Sequence, residues 1–251
     1  MRGLNRKFMG KIFITGIGPG SREHMSIRAC EVIENSDIIV GYTTYIKILE
    51  KSFKLKDVFV SGMRKETDRC REALNLALSG KTVALVSSGD SGIYGMAGLM
   101  LQIVEENGSD IEVEVIPGIT SSSASAALLG APIMHDYASI SLSDLLTEHD
   151  LINRRIEAAA SADFVICIYN PKSRTRVAGL AEARDIILKH RSGSTPVGIV
   201  KDAMRDGESA VITDLDNMLN HEIDMTTTII VGNSETFVSR GKMITPRGYG
   251  L

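Results

Sequence analysis

Glycines and a single carboxylate follow a short apolar run in residues 81–95, KTVALVSSGDSGIYG. The run from Thr82 to Val86 predicts a buried strand, and Gly89, Asp90 and Gly92 come directly after it. Glycines at such a strand end let the backbone approach a ligand closely, and the carboxylate can accept hydrogen bonds from that ligand. The pattern therefore predicts a binding loop, although a strand-to-helix turn with Asp90 as a helix cap explains the same residues equally well.

A second candidate binding segment follows the predicted strand from Ile111 to Ile116, where Pro117-Gly118-Ile119-Thr120 leads into the small residues 121–127, SSSASAA. Small residues at a helix start leave room for a ligand and expose amide and hydroxyl donors to it. We expect Thr120 both to cap this helix and to contact the ligand. Tight packing of a helix rich in serine and alanine is the open alternative.

Several familiar chemical motifs are missing from the sequence. Residues 16–20, GIGPG, have no third glycine at the spacing that a dinucleotide fingerprint requires, and neither a GxSxG elbow nor a GxxxxGK[ST] phosphate loop occurs. The five histidines stand in no recognisable motif, and Cys30, Cys70 and Cys167 are too far apart to indicate a disulfide framework or a zinc site. A hydrolytic triad, an NAD fingerprint and a protein-bound metal are therefore not predicted.

The composition is that of an ordinary soluble protein: the 251 residues are 43% hydrophobic and 24% charged, with a formal net charge of −3. This weak charge, an aromatic content of 5% and the absence of tryptophan argue against nucleic-acid binding. No apolar segment approaches the roughly 20 residues of a membrane-spanning helix, and the apolar run near the start is too short for a signal peptide. We therefore expect a cytoplasmic protein with no nucleic-acid or membrane partner.

The elements that must position these loops are about ten strands and seven helices in alternation, which predicts an α/β fold of two lobes with a cleft between them. The helix after GIGPG is expected to run from about Glu23 to Asn35, with Ser21 as its cap. Residues 130–137 contain Gly130-Ala131-Pro132 and are the candidate linker. The predicted domains are therefore 1–131 and 132–251.

Three further features of the sequence concern side chains near strand ends and the carboxyl-terminal tail. Tyr42 and Tyr45, which follow the predicted strand from Asp37 to Val40, either line a pocket or pack against the core. The basic cluster of residues 64–71, with Arg64 and Arg69 among its members, is either a solvated face or a docking site for an acidic small molecule carrying several carboxylates. The glycine-rich tail from residue 242 is predicted to form no element of its own.

Six blocks occur in order along nearly the whole chain, and together they resemble the tetrapyrrole methylase family of S-adenosylmethionine-dependent enzymes. The blocks are GIGPG, SSGDSGIYG, IPGITSSSAS, YNP, KDAM and TTTIIVG. Further stretches, among them GYTTYI, GAPIMHDYASISLSDLLT and MITPRGY, resemble the branch that methylates C17 of a corrin precursor. The commoner family motif is GDP, and Ser91 takes the place of its proline in this chain.

The resemblance implies a class III methyltransferase fold, with S-adenosylmethionine in the cleft, a homodimer and a tetrapyrrole substrate. The implied reaction is C17-methylation with ring contraction of precorrin-3B or cobalt-factor III in cobalamin (vitamin B12) biosynthesis. Methylation at another ring carbon and a non-catalytic module that binds S-adenosylmethionine are the alternatives. The implied cofactor contacts are Pro19, Ser88, Gly89, Asp90, Ile93, Thr120, Ser121, Tyr169, Asn170, Ala203, Thr226 and Thr227.

Polar side chains of the linker and of the turn after it supply the candidate catalytic residues. His135, Ser143 and Asp144 are candidates for assisting lactone formation or for holding substrate carboxylates. Helix capping and ordinary surface positions are the open alternative for each of them. The basic candidates for binding substrate carboxylates are Arg64, Lys172 and Arg174.

Overall fold

A computed structural model of the chain describes residues 10–173 and 178–250. The chain divides into two compact units, Met1–Thr120 and Ser121–Leu251. The boundary predicted from the sequence, between Ala131 and Pro132, falls after the helix Ser121–Leu129, whereas the units divide before it. The reason is that this helix packs on strands of the second unit.

The strands of the first unit are β1 (Lys11–Gly16), β2 (Ile38–Tyr42), β3 (Asp57–Ser61), β4 (Thr82–Ser87) and β5 (Glu112–Ile116). In the described part of this unit they form one parallel sheet in the order β3-β2-β4-β1-β5. Because all of them run the same way, the loops after their carboxyl ends lie at one edge of the sheet. That edge carries every strand-end loop that the sequence marks in this unit.

The helices of the first unit are α1 (Ile27–Asn35), α2 (Thr43–Leu49), α3 (Glu66–Leu78) and α4 (Ala97–Asn107). They cover both faces of the sheet, so successive strand residues are buried on opposite sides. Ile12 and Ile14 pack with residues of α3 and α4, whereas Phe13 between them packs with residues of α1.

Helix α1 begins later than the sequence predicted. The side chain of Ser26 accepts a hydrogen bond from the backbone N–H of Ala29 at 3.1 Å and so caps the helix. Residues Arg22–His24 form a separate 3-10 turn, for which Ser21 makes no side-chain cap hydrogen bond. The predicted start at Glu23 with Ser21 as the cap was therefore wrong, because a second serine stood at a position with better capping geometry.

The second unit begins with α5 (Ser121–Leu129), β6 (Gly130–Ala131), β7 (Tyr137–Ser141), α6 (His149–Ser161), β8 (Val165–Tyr169) and α7 (Gly179–Ile187). It continues with β9 (Pro196–Lys201), β10 (Ser209–Asp214), β11 (Thr227–Val231), β12 (Phe237–Ser239) and β13 (Lys242–Ile244). Among the described residues, its main sheet has the order β10-β9-β11-β8-β7.

Strand directions in this sheet are mixed. Strands β7 and β8 are parallel, β11 is antiparallel to both β8 and β9, and β10 is antiparallel to β9. The carboxyl ends of β7, β8 and β9 therefore share one edge with the amino ends of β10 and β11. Alternate residues of β8 again face opposite sides, with Ile166 and Ile168 against α6 and α7 and Cys167 against α5.

The predicted linker and the tail pair with each other in a small third sheet. Strand β13 is paired with both β12 and β6, and Met243 of β13, opposite Gly130, is fully buried. The prediction that the tail forms no element was wrong. One of its two partner strands, β6, lies more than a hundred residues earlier in the chain, and its one fully buried apolar side chain, that of Met243, is a weak local signal. The ten predicted strands correspond to β1–β5 and β7–β11.

No helix in residues 10–173 and 178–250 is both long enough and apolar enough to cross a membrane.

Candidate active site

Three loops interlock at the carboxyl edge of the first sheet. The loops after β1 and β4 are bridged by Gly18 and Gly89, whose backbone N–H groups each donate to the other residue's carbonyl oxygen, at 3.0 and 2.9 Å. The loop after β5 presses onto both, since a Cβ on Gly118 would lie 2.2 Å from the Gly89 oxygen and 2.7 Å from the backbone of Gly16. Only glycine fits at this crossing, so the sequence requirement is steric.

The carboxylate of Asp90 ties two of these loops together. Its Oδ1 accepts a hydrogen bond from the backbone N–H of Gly92 at 2.8 Å, and its Oδ2 accepts one from Gly118 at 3.0 Å. Asp90 does not cap α4, whose N-cap residue is Met96. Each carboxylate oxygen has two lone pairs, so Asp90 can hold the loops and still accept a donor from a ligand.

Ser91 attaches the same loop to the strands of the sheet. Its hydroxyl is fully buried and lies 3.3 Å from both the Ile14 oxygen of β1 and the Ile116 oxygen of β5. A proline at this position has no hydroxyl and makes neither contact. The single hydroxyl proton of Ser91 can be donated to either carbonyl, so the serine ties the loop to β1 or β5.

The structure places all of the first unit's predicted cofactor residues in these three loops. Pro19 and Thr120 are buried, Ser88, Gly89 and Asp90 are half-buried, and Ile93 is 40% exposed. Six residues predicted from separate motifs therefore lie along one sheet edge: Pro19, Ser88, Gly89, Asp90, Ile93 and Thr120.

The second unit brings its own predicted cofactor residues to one edge of its main sheet. Tyr169 ends β8 and Asn170 follows it, Ala203 lies in the loop after β9, and Thr226 directly precedes Thr227, the first residue of β11. The backbone N–H of Asp202 donates to the Thr226 oxygen at 3.3 Å, which joins the loop after β9 to the start of β11.

The amino end of α5 meets the same edge. The Tyr169 hydroxyl accepts a hydrogen bond from the backbone N–H of Ser122 at 3.1 Å. Ser122 lies in the first turn of α5, where backbone N–H groups have no partner within the helix. This contact holds Ser121, the other predicted residue of the second unit, near the end of β8.

Strained backbone marks this edge. Asn170 has a φ of 50°, and Asp202 and Met204, which flank Ala203, have φ values of 48° and 58°. Asparagine and aspartate tolerate the left-handed region, but methionine there costs roughly 1 to 3 kcal/mol, and strain of this kind concentrates at ligand-binding sites.

A network of charged and hydroxyl groups supports the start of β11. Asp224 Oδ1 accepts from the Thr226 backbone N–H at 2.9 Å, the Thr226 hydroxyl at 2.9 Å and the Thr227 hydroxyl at 3.2 Å. Its Oδ2 lies 2.8 Å from Lys201 Nζ. Burial alone would raise the pKa of Asp224, but the hydrogen bonds from Lys201 and the two threonines outweigh it and lower the pKa to about 2. Sequence reasoning named the threonines but missed Asp224 and Lys201.

The three predicted catalytic residues do not lie together. Ser143 and Asp144 follow β7 at the edge that also carries Asn170, whose side-chain amide donates to Ser141 Oγ at 2.9 Å. His135 precedes β7 at the opposite edge, and five strand residues span about 16 Å. Its Nδ1 accepts from the adjacent Asp136 backbone N–H at 2.8 Å. Within this unit, the geometry groups the serine and the aspartate and separates the histidine from both.

The predicted basic and aromatic residues have different environments. Lys172 is half-buried in the loop after β8, Arg64 is exposed in the loop after β3, and Arg174 lies outside the described residues. Arg69 is not solvated: it is 3% exposed, and its guanidinium donates to Ser61 Oγ at 2.8 Å and to the Gly62 oxygen at 3.0 Å. Arg69 thus supports the loop after β3.

The ring of Tyr42 packs between two neighbours beside this loop. Its centroid lies 5.2 Å from that of Tyr45 in an edge-to-face arrangement and 6.0 Å from the Arg69 guanidinium. These contacts favour the packing alternative for the tyrosine pair.

The part of the chain that the structure describes contains no group of three or more histidine, cysteine, aspartate or glutamate side chains arranged to hold a metal ion.

Comparison with known proteins gives these strand-end loops a family context. The family model described as Tetrapyrrole (Corrin/Porphyrin) Methylases matches residues 11–219. "Cobalt-factor III methyltransferase" of Priestia megaterium is 52% identical over 244 residues, which cover 96% of this chain and 45% of that protein. "Probable cobalt-factor III C(17)-methyltransferase" of Salmonella typhimurium is 51% identical over 238 residues, covering 95% of this chain and 99% of that protein.

Solved structures agree with this relationship. The crystal structure of the methyltransferase CobJ superposes with a TM-score of 0.88 at 28% sequence identity, over 94% of this chain and all of that one. The chain thus spans less than half of the Priestia protein but nearly the full length of the Salmonella protein and of CobJ. With its strand-end glycine loops, its class III methyltransferase fold and these matches, the chain belongs to the tetrapyrrole (corrin/porphyrin) methylase family.

Proposed function

We propose that this enzyme transfers a methyl group from S-adenosylmethionine to C17 of cobalt-factor III in cobalamin biosynthesis. The observation that carries the proposal is the identity of 51% to the Salmonella typhimurium protein, which covers nearly the whole length of both chains. Metal-free precorrin-3B is the related substrate to be distinguished by experiment. Ring contraction, a homodimeric state and a cytoplasmic location complete the proposal.

Each of the two sheet edges carries residues whose chemistry fits S-adenosylmethionine. This molecule carries hydroxyl and amino donors, a carboxylate and a positively charged sulfonium. The first unit offers the Asp90 carboxylate and glycine-rich backbone, and the second offers the hydroxyl of Thr226 and the side-chain amide of Asn170. When bound, S-adenosylmethionine supplies an electrophilic methyl group.

The protein's own task is alignment and exclusion of water rather than strong acid or base chemistry. The sulfonium is already activated, so the rate depends on holding the methyl group in line with a nucleophilic ring carbon. Interlocked loops suit this task, because Gly18, Gly89, Asp90 and Gly118 restrain one another by hydrogen bonds and steric contact.

Ring contraction needs a group near the substrate that can hold or move a proton. Of the candidate catalytic residues, we assign this part to Ser143 and Asp144, because they follow β7 at the edge that carries Asn170 and Thr226. His135, at the other edge of the same sheet, is proposed only as a surface residue.

The test is anaerobic incubation of the purified protein with cobalt-factor III and S-adenosylmethionine carrying a ¹³C-labelled methyl group. We expect a product heavier by one methyl group, with the label at C17 by NMR. Asp90→Asn should lose most of this activity, because asparagine has one side-chain oxygen and cannot use a second one to accept from both the Gly92 and the Gly118 N–H groups. Asp110→Asn is the matched control, since Asp110 is exposed before β5, away from the loops.

Each other outcome has a definite meaning. A label at another ring carbon would refute the C17 assignment and leave the family intact. Turnover of precorrin-3B but not of cobalt-factor III would move the proposal to the metal-free substrate. Equal loss of activity in Asp90→Asn and Asp110→Asn would refute the role in holding S-adenosylmethionine that is proposed for the first unit's loops.

A further inference from the structure

The surroundings of the Thr226 hydroxyl determine whether it donates or accepts a hydrogen bond. Its partner is Asp224, whose Oδ1 lies 2.9 Å away and whose carboxylate is held ionised by Lys201 at 2.8 Å. An ionised carboxylate only accepts hydrogen bonds, so the threonine must donate its single proton to Asp224. The Thr226 oxygen is left with lone pairs alone for any other partner.

Thr227 completes the arrangement from the buried side. Its hydroxyl donates to Asp224 Oδ1 at 3.2 Å and accepts from the Asp224 backbone N–H at 3.1 Å, and its side chain is almost fully buried. Thr226 is exposed. The network therefore presents one outward-facing hydroxyl oxygen, with its orientation locked by a buried neighbour and a lysine.

We propose that Asp224, held by Lys201, is a positioning residue that makes the Thr226 hydroxyl an obligatory acceptor for an N–H or O–H group of the bound nucleoside. The inference rests on the proposed function, because it takes the start of β11 as part of the cofactor site. Asp224 acts through Thr226 and does not itself contact the ligand. This positioning role requires the two oxygens of Asp224 to have different partners. Oδ1 accepts from the threonines, and Oδ2 contacts Lys201.

The experiment measures the affinity of S-adenosylhomocysteine, the demethylated product, by calorimetry. We expect Asp224→Asn to weaken binding about tenfold, the equivalent of one lost hydrogen bond. The asparagine no longer obliges the Thr226 hydroxyl to donate, because its NH2 group must face either the threonines or Lys201, and either placement breaks part of the network. Glu222→Gln is the matched control, because Glu222 is an exposed carboxylate that contacts Lys201 at 3.2 Å but neither threonine. It should bind as the wild type does.

Two variants of the exposed Thr226 keep the proposal testable if Asp224→Asn folds poorly. Thr226→Val should weaken binding about tenfold, whereas Thr226→Ser should restore it, since it keeps the hydroxyl. In the double variant with Asp224→Asn, the losses should not add, because both remove the same interaction.

Additive losses in the double variant, or wild-type affinity in Thr226→Val, would overturn the proposal. Failure of the wild-type protein itself to bind S-adenosylhomocysteine would be a different result, because it would refute the cofactor assignment of the proposed function, and this inference with it.

Discussion

Replacing Gly118 by alanine tests whether the three loops of the first unit are interlocked. The new Cβ would lie 2.2 Å from the Gly89 oxygen, so the loops must separate by about 1 Å to reach a tolerable contact. That displacement breaks the two hydrogen bonds between Gly18 and Gly89 and the one from Gly118 to Asp90. Losing two neutral hydrogen bonds and one to a charged group lowers the free energy of unfolding by about 3 to 5 kcal/mol.

Urea denaturation and hydrogen exchange together measure this effect. A loss of that size lowers the urea midpoint of the first unit by roughly 2 M. Mass-spectrometric hydrogen exchange should show faster exchange in peptides that cover residues 16–20, 87–95 and 118, whose backbone N–H groups donate the broken hydrogen bonds. Binding of S-adenosylhomocysteine should weaken in parallel.

The matched control is Gly98→Ala, the same chemical change at an open position. Gly98 lies in α4, and a Cβ there meets no atom within 4 Å. Alanine should stabilise the helix by about 0.5 to 1 kcal/mol. A Gly118→Ala protein that unfolds within about 0.5 kcal/mol of the wild type, with unchanged exchange in the loops, would refute the interlocking described above.

Three further changes have expected outcomes. Because the pKa of Asp224 falls from an ordinary 3.8 to about 2, its ionised form stabilises the fold above about pH 4, and this contribution is lost as the pH falls toward 2. Urea unfolding at about pH 5 and about pH 3 should therefore show a smaller pH dependence in Asp224→Asn than in the wild type; equal slopes would contradict the argument. Burial raises the pKa of the Cys70 and Cys167 thiols to about 12, so iodoacetamide at about pH 8 should alkylate them only after denaturation, as peptide mass mapping would reveal. Arg191 is buried, donates to three backbone carbonyls and lies 3.1 Å from Asp163, so Arg191→Met should cost about 3 kcal/mol by thermal unfolding; a change under about 1 kcal/mol would contradict this packing.

Local patterns predicted most of the main strands because each pattern is contained within a few residues. Thr82 to Val86 lies within β4, and α4 ends at Asn107, directly before Gly108 with its φ of 65°. These signals arise from apolar periodicity and from the left-handed conformation that glycine adopts easily, and neither depends on distant residues.

Predictions failed where two local candidates competed or where the partner was distant. Ser21 and Ser26 both precede the α1 region, and only the folded backbone decides that Ser26 reaches the Ala29 N–H. Arg69 belongs to a basic cluster that is typical of a solvated face, yet its side chain is buried against the loop after β3. The relative placement of His135 and Ser143 was left open by the sequence, and the direction of β7 puts them at opposite edges of the sheet.

The α/β class, the glycine loops at strand ends and, through six ordered blocks, the family can all be inferred from the amino-acid sequence. Those features depend on residue type and local spacing, and both are visible directly in the linear sequence. Two features become visible only in the folded protein: the loops with Gly18, Gly89 and Gly118 interlock, and Asp224 and Lys201 support Thr226. Strand order and register bring these residues together, and both are set by packing between segments far apart in the chain.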